Sequence, residues 1–343
     1  MSRNTRTNKT RALGDQAIAF GPDTPTFIHV GYPKCASTYL QQSIFPSMGN
    51  FADLTKTPRE TKWMLFDDDA DAAVFRELVA AATAHRNPEK NYHIVSYEGF
   101  VPNLFRPITD LFWETRKRQG ASVDRYAHAT RPIAERLAEA FPGAKIIIVI
   151  REQVDWAISQ YKMYWRRGHT TKPLEAFVED YCAGYDREIA RFMDLFGREN
   201  VVVVPFELLL EDALAFVRAI TGFIDPDFEP EAPKSRVNFA PKLLRDVSYQ
   251  RAKRILKIQM REHRFNTNPL SHLMLKIAWW GATVVARPYY AIKFGNQEDT
   301  IALDPAKHDE IRPALIQSNR TLEDLTGLSL AQYGYCTGAE DQG

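Results

Sequence analysis

Cysteine, long apolar runs and net charge are all scarce in this chain of 343 residues. The three cysteines, Cys35, Cys182 and Cys336, form no CxxC pair and no cluster with histidine, which argues against a disulfide framework and a zinc site and favours a reducing compartment. The longest uncharged apolar run, from Ile277 to Ala286, is too short to span a bilayer. The net charge of +1 gives no general attraction to nucleic acid or to a membrane, so any electrostatic site must be local.

The amino-terminal residues are polar and basic and lack the apolar segment of a secretory signal. They predict a disordered arm over residues 1–22, with an organelle transit peptide as the alternative. Together with the cysteine content, this predicts a cytoplasmic location.

Four apolar runs predict buried strands between helical patterns. The last two of them are apolar on both faces, which is typical of parallel sheets covered by helices. The alternation predicts an α/β fold, a doubly wound parallel sheet with helices on both faces, over residues 23–230, followed by a helical C-terminal extension over residues 231–343. The predicted strands are Phe27–Gly31, His93–Tyr97, Lys145–Ile150 and Val201–Phe206, and the helical patterns include Ala70–Ala84, Arg131–Ala140 and the final segment Asp304–Tyr335.

The turn after the first strand has the chemistry of an anion site. It runs from Gly31 to Thr38, contains Lys34 and Ser37, and is followed by a helix expected from Gln41. A strand–turn–helix unit of this kind presents backbone N–H groups, a positive helix end and a cation to a phosphate. The order of glycine, lysine and hydroxyl residues differs from that of a Walker A motif. The alternative interpretation is that the hydroxyl side chains only cap the helix.

Two further polar residues follow predicted strands. Glu98 comes after the second strand and Arg151 after the third. Because the carboxyl ends of parallel strands meet at one edge of a sheet, we expect both residues to lie near the Lys34 turn. Ser159 lies about two helical turns after Arg151, so its hydroxyl can reach an anion held by that arginine. The structural alternatives are a surface glutamate, an arginine at the sheet edge and a serine on a solvated helix face.

These paired motifs resemble the nucleotide-binding elements of sulfotransferases that use 3′-phosphoadenosine-5′-phosphosulfate (PAPS) as the co-substrate. The resemblance spans roughly residues 25–210, and the ending from Ser318 to Tyr335 resembles bacterial-type members. It implies a P-loop-like fold and transfer of a sulfuryl group from PAPS to an acceptor hydroxyl, with no metal required. The family most often has glycine where this chain has Ala36, so a positive φ there would strain the loop.

The resemblance also implies roles for individual residues. Glu98 would be the catalytic base, and Lys34 would neutralise charge on the departing phosphate. Cys35 is expected to pack rather than react. The residues assigned to the nucleotide are Lys34, Cys35, Ala36, Ser37, Thr38 and Tyr39 at the 5′-phosphate, Arg151 and Ser159 at the 3′-phosphate, and Arg236 or Lys242 in a basic loop over the 3′-phosphate.

A glutamate base resembles the carbohydrate-acting branch, so the expected acceptor is a hydroxyl of a carbohydrate or glycolipid. The alternatives are a P-loop kinase-like phosphotransferase, which needs a Walker lysine and an acid for Mg²⁺, and a non-catalytic nucleotide-binding protein. The sequence predicts no nucleic-acid partner and leaves the oligomeric state open.

A basic amphipathic stretch follows the predicted core, from Lys242 to Arg264, and an apolar segment around Trp279 and Trp280 comes after it. Its pattern leaves nucleotide, an acidic glycan and a membrane surface open as partners. Peripheral contact through residues 242–290 would place the cytoplasmic protein at a membrane.

Overall fold

The computed structural model describes residues 24–57, 71–87, 89–100, 132–167, 170, 172–181, 184–231, 245–254, 269–297 and 301–338. The predicted arm at residues 1–22 and the candidate site residues Arg236 and Lys242 lie outside the described residues.

The centre of the fold is a sheet of six strands in the order β3-β2-β4-β1-β5-β6. Neighbouring strands are parallel throughout, except that β3 at the edge is antiparallel to β2. The predicted α/β fold with a parallel sheet is therefore confirmed. Four of the six strands were predicted from the sequence pattern, and β2 and β3 were not. The strands are β1 Thr26–Gly31, β2 Asn50–Asp53, β3 Thr83–His85, β4 His93–Tyr97, β5 Lys145–Ile150 and β6 Val201–Pro205.

Helices connect and cover the strands. A π-helical segment, Leu40–Ile44, joins the first two helices, and residues 245–254 are also helical. Short 3₁₀ turns follow β2 and β4, at Leu54–Lys56 and Glu98–Phe100. The helices are α1 Ser37–Tyr39, α2 Phe45–Met48, α3 Ala72–Ala81, α4 Ile133–Ala140, α5 Gln153–Arg167, α6 Leu174–Tyr181, α7 Asp186–Phe196, α8 Phe206–Glu211, α9 Ala213–Ile224, α10 Pro269–Phe294 and α11 Pro305–Thr326.

The central strands are buried on both faces of the sheet. In β1 and in β5, every residue after the first is buried, whichever face its side chain points to. The chain moves across the sheet in one direction from β1 to β2 and in the opposite direction from β5 to β6. Because parallel crossovers are right-handed, these two connections lie on opposite faces. This arrangement is a doubly wound sheet, with its direction of winding reversed next to β1.

The final helix returns to the core of the fold. Asn319 of α11 hydrogen-bonds to the Gln153 side chain at the start of α5, and its amide also donates to the Cys336 carbonyl at 2.9 Å. Ser318 donates to Asp186 of α7 at 2.5 Å. These contacts attach the carboxyl-terminal segment to α5, the helix that follows β5, and to α7. Within the described residues, no helix is both long enough and apolar enough to cross a membrane.

Candidate active site

Three adjacent strands bring the predicted site residues to one edge of the sheet. In the β4–β1–β5 register, Val30 pairs with Tyr97, and Gly31 pairs with Val149. Glu98 follows Tyr97 directly, and Arg151 follows the end of β5. Since neighbouring strands lie about 4.8 Å apart, Glu98, the loop after Gly31 and Arg151 leave the sheet side by side.

The thiol of Cys35 is influenced by the charges on both sides of the loop. Burial raises its pKa well above the ordinary value, the positive charge of Arg151 lowers it, and the negative charge of Glu98 raises it. Both charges must therefore be near the loop for Cys35 to experience them. The raised pKa keeps the thiol protonated, in agreement with the packing role expected for Cys35.

The loop backbone is strained at two positions. Lys34 has φ of 70° and Ala36 has φ of 60°, and these are the two residues other than glycine with positive φ in the described part of the chain. Ala36 thus has the positive φ for which the family's usual glycine is suited, and an L-residue here costs about 1–2 kcal/mol. Strain of this kind persists where the surrounding structure enforces it, typically at functional sites.

The helix after the loop begins earlier than predicted. Its first residue is Ser37 rather than Gln41, with Ala36 at the N-cap and no side-chain capping hydrogen bond. The alternative interpretation, in which the hydroxyls of Ser37 and Thr38 only cap the helix, is therefore wrong for this structure. The first N–H groups of a helix have no hydrogen-bond acceptor within the helix. The N–H groups of Ser37, Thr38 and Tyr39 therefore have no acceptor within this helix.

The side chains of the loop differ in exposure. Ser37 is buried, and its hydroxyl donates to the Tyr32 carbonyl over a long 3.4 Å. Thr38 is exposed. Tyr39 is buried, and its hydroxyl has no hydrogen-bond partner among the described residues. Because the Ser37 contact is long and therefore weak, its proton can be redirected to a ligand at small cost.

Side chains of helix α5 hydrogen-bond to the backbone of the loop. The indole N–H of Trp156 donates to the Pro33 carbonyl at 2.7 Å, and the Gln160 amide donates to the same oxygen at 3.0 Å. Tyr32 packs edge-on against Trp156 and Tyr185, with ring centroids 6.4 and 4.8 Å apart. The helix that starts after Arg151 therefore fixes the position of the loop after β1. Sequence reasoning missed this role, since an indole in an apolar helix face indicates only packing.

Arg151 lies against an aromatic ring. Its guanidinium is 4.8 Å from the ring centroid of Phe206, and one terminal nitrogen is 3.8 Å from Asp155. Its Nε is buried without a hydrogen-bond partner in the described part of the chain. Tyr185 donates to the Arg151 carbonyl at 2.7 Å, which fixes the backbone. The side chain is 21% exposed, so a ligand can still reach it.

Ser159 lies on α5 and is half-buried. It shares this helix with Trp156 and Gln160, which hold the loop. The same helix thus connects the two predicted phosphate sites.

A pair of half-buried carboxyl groups supports the start of α5. Glu152 accepts from the N–H groups of Val154 at 3.1 Å and Asp155 at 2.8 Å, and its own N–H donates to Glu207 at 2.9 Å. The Tyr335 hydroxyl donates to the second oxygen of Glu207 at 3.1 Å. Burial raises the pKa of both carboxyl groups. This network joins the carboxyl-terminal loop to the backbone beside Arg151, and nothing in the spacing of these residues predicts it.

His29 of β1 and His93 of β4 are core residues. Burial lowers the pKa of His29 and of His93 to about 3. His29 Nδ1 is 2.7 Å from the Ser96 hydroxyl, which also accepts from the Gln41 amide at 3.0 Å. His93 is at the opposite end of β4 from Glu98 and lies 3.0 Å from the Thr83 hydroxyl.

Comparison with known proteins gives a family but no near relative. No curated protein matches the chain. The sulfotransferase from Alicyclobacillus acidocaldarius is 17% identical, with 90% of this chain and 98% of that chain covered, at a TM-score of 0.48. Mouse sulfotransferase SULT7A1 complexed with PAP is 13% identical, with 87% and 85% covered, at a TM-score of 0.39.

Structural similarity at these TM-scores is too low to assign a family. The assignment therefore rests on the sequence match to a family model. The model of the sulfotransferase family matches residues 25–230, which is more than half of the chain. The chain belongs to the sulfotransferase family.

Proposed function

We propose that this chain transfers a sulfuryl group from PAPS to an acceptor hydroxyl in a direct in-line reaction. The observation that carries the proposal is that Lys34, Glu98 and Arg151 follow three adjacent parallel strands, β1, β4 and β5, in a member of the sulfotransferase family. Ligands of open α/β sheets bind beyond the carboxyl ends of the strands, where the winding reverses.

The residues at this edge fit a nucleotide with two separate phosphate groups. The loop from Lys34 to Tyr39 offers a cation, the hydroxyls of Ser37 and Thr38 and the N–H groups at the start of a helix, which suit the 5′-phosphate. Arg151 has a buried nitrogen without a partner in the described residues, and with Ser159 it suits the 3′-phosphate. PAPS would supply the sulfuryl group, and the protein would hold it in line with the acceptor.

Two side chains would take part in the bond changes. Glu98 accepts the proton of the acceptor hydroxyl as the acceptor oxygen bonds to sulfur. Lys34 would lie beside the bridging phosphate oxygen that takes the electron pair of the breaking S–O bond, and would stabilise the negative charge there. The remaining loop groups contribute by positioning, which is also the main source of catalysis in phosphoryl transfer.

The proposed acceptor is a hydroxyl of a carbohydrate or glycolipid. A glutamate at the end of β4 supports this choice, because the resemblance associates a glutamate base with carbohydrate-acting members. The test is turnover with PAPS and a panel of oligosaccharide, glycolipid and phenol acceptors, with sulfated products detected by mass spectrometry. Products from phenols alone would contradict the acceptor class and leave sulfuryl transfer intact.

The donor is tested by thermal-shift titration with 3′-phosphoadenosine-5′-phosphate (PAP), beside AMP, ADP and Mg-ATP. A ligand that binds only the folded state raises the melting temperature by mass action. We expect PAP to stabilise the protein more than AMP at equal concentration, because only PAP carries the 3′-phosphate. A preference for Mg-ATP would support a kinase-like phosphotransferase instead, and no shift with PAP would reject the donor site.

The base is tested by the Glu98→Gln variant. We expect kcat to fall by about 10²–10⁴-fold, because the amide cannot accept the acceptor proton. The affinity for PAP should stay nearly unchanged, since the glutamate does not contact the nucleotide in this mechanism. Glu77→Gln, on the exposed side of α3, is the matched control and should keep full activity. Full turnover in Glu98→Gln would remove this residue from the role of base.

A further inference from the structure

Helix α10 has an unusually apolar exposed surface. Among the described residues, twelve large hydrophobic side chains are exposed, and eight of them lie on this one helix. Ile277, Trp280 and Val284 follow one another at helical spacing and are 58%, 66% and 53% exposed. Among the residues of α10 whose exposure is described, the apolar face consists of Leu273, Met274, Ile277, Trp280, Val284, Val285, Tyr289 and Ile292.

The other side of α10 packs on the protein. Thr283 is buried, and Trp279, Tyr290 and Phe294, which share its side of the helix, are only partly exposed. Arg245, in the helix at residues 245–254, donates to the Asn296 side chain at 3.0 Å, so this second helix lies beside the end of α10. Arg245 of that helix also donates to the Gly295 carbonyl at 3.2 Å, just after α10 ends. The helix is therefore held to the protein along one face, with its apolar face turned outward.

This region is strongly basic. Between residues 245 and 297 there are ten Lys and Arg residues and two Asp and Glu residues, in a chain whose net charge is +1. Helix α10 itself contains no acidic residue, and its cations, Lys276, Arg287 and Lys293, are exposed. Exposed Trp280 and Tyr289 add amphipathic rings, which favour the boundary between water and lipid. A protein partner would explain the apolar face alone. An anionic bilayer explains both the apolar face and the cations of α10.

We propose that α10 docks this protein on an anionic lipid surface, with the helix lying in the plane of the interface. The apolar face would enter the headgroup and upper acyl region by about 5–10 Å. Lys276, Arg287 and Lys293 would keep their ammonium and guanidinium groups among anionic headgroups while their aliphatic stems lie along the apolar layer. The proposal does not rest on the sulfuryl-transfer chemistry, because it uses none of the residues at the sheet edge.

The test is flotation of the full-length protein with vesicles of phosphatidylcholine alone or mixed with phosphatidylglycerol. Each cation near an anionic surface contributes about 1 kcal/mol, so we expect binding to the anionic vesicles to be at least about tenfold tighter and to weaken in high salt. The double variant Ile277→Asp/Val284→Asp should lose at least about tenfold in binding, because it places charges in the lipid layer. Leu210→Asp, at a side chain that is 59% exposed on α8, is the matched control and should bind as the parent does.

Charge and insertion are tested separately. Lys276→Glu/Arg287→Glu should weaken binding to anionic vesicles and leave the weak binding to neutral vesicles unchanged. Vesicles with brominated acyl chains should quench the tryptophan fluorescence of the parent, and Trp280→Phe should remove much of that quenching.

Unchanged melting curves would show that the variants fold. Equal binding by the Ile277→Asp/Val284→Asp variant would overturn the proposal. A dimer that this variant dissociates, in a protein that does not float with vesicles, would assign the face to a second copy.

Discussion

At the scale of single residues, Arg151 offers the sharpest test of the nucleotide site. AMP and PAP differ in the 3′-phosphate, which is the group that Arg151 is proposed to bind. Hydrogen bonds to charged groups contribute about 1.5–3 kcal/mol, so Arg151→Gln should weaken PAP binding by about 10–100-fold. The same variant should bind AMP as the parent does. Isothermal titration with both ligands checks this, and an equal loss for AMP and PAP would mean that Arg151 supports the fold rather than the phosphate.

Ala36 tests the strain in the loop. At φ of 60°, the Cβ atom of alanine crowds the backbone, and glycine, which has no Cβ atom, avoids this strain. Glycine relieves this strain in the folded state, but it also makes the unfolded chain more flexible, which partly offsets the gain. Ala36→Gly should therefore raise the free energy of unfolding by about 0.5–1 kcal/mol. Urea denaturation measures the change.

Ala80→Gly is the control for this prediction, because Ala80 lies within α3, where the backbone is helical. That variant should lose about 1 kcal/mol. The two substitutions are chemically identical, and opposite signs would therefore follow from backbone conformation alone. A destabilised Ala36→Gly variant would show that a left-handed backbone at this position is wrong.

The site residues that could be predicted from the sequence are polar residues that come directly after a strand. Glu98 and Arg151 could be predicted because parallel strands bring their carboxyl ends together wherever the helices between them lie. Glu207 and Tyr335 could not, since their contact with the start of α5 joins segments far apart in sequence. Only packing of the complete chain brings these groups within hydrogen-bond distance.

At the scale of secondary-structure elements, α5 both begins at the Arg151 site and holds the Lys34 loop. Trp156→Phe or Gln160→Met removes one of the two N–H donors to the Pro33 carbonyl, and each should cost about 1 kcal/mol of stability. The double variant leaves that buried oxygen without either donor, so its cost should exceed the sum of the two. PAP affinity should fall with it, because the loop loses its fixed position.

Tyr161→Phe is the control for this prediction on the same helix. It removes a hydroxyl that donates to the Lys172 carbonyl at 3.1 Å, away from the loop. Its stability should fall by about as much as in either single variant, but its PAP affinity should not change. A strictly additive double variant with normal PAP binding would contradict the role of α5 as the support of the loop.

The predicted and missed elements differ in the length and composition of their strands. β5 has the sequence Lys-Ile-Ile-Ile-Val-Ile, which predicts a buried strand without further information. β2 contains only Asn50–Asp53, and β3 only Thr83–His85. Such short segments carry no clear hydrophobic period. They are strands because β4 offers β2 a parallel edge, and β2 in turn offers an edge to β3.

At the scale of the whole molecule, burial of neutral histidines makes the fold sensitive to acid. Burial lowers the pKa of His93 from its ordinary value of 6.5 to about 3, and the same holds for His29. As the pH falls below 6.5, the unfolded chain takes up these protons before the folded one does. The stability that neutral His93 contributes is therefore fully present above pH 6.5 and is lost as the pH falls towards 3.

The measurement is the free energy of unfolding in urea as a function of pH, for the parent and for His93→Gln. Each histidine that the folded state keeps neutral adds about 1.4 kcal/mol per pH unit to the slope between these pKa values. Glu152 and Glu207 act in the opposite direction, because burial raises their pKa. They are present in both proteins, so the difference between the two curves isolates His93.

Glutamine can still hydrogen-bond to Thr83 but takes up no proton, so the slope of the variant should be smaller by about 1.4 kcal/mol per pH unit. Above the pKa of the unfolded histidine, the two curves should run parallel, offset only by the cost of the substitution in the core. Equal slopes at acid pH would mean that His93 takes up its proton at the same pH in the folded and unfolded chains.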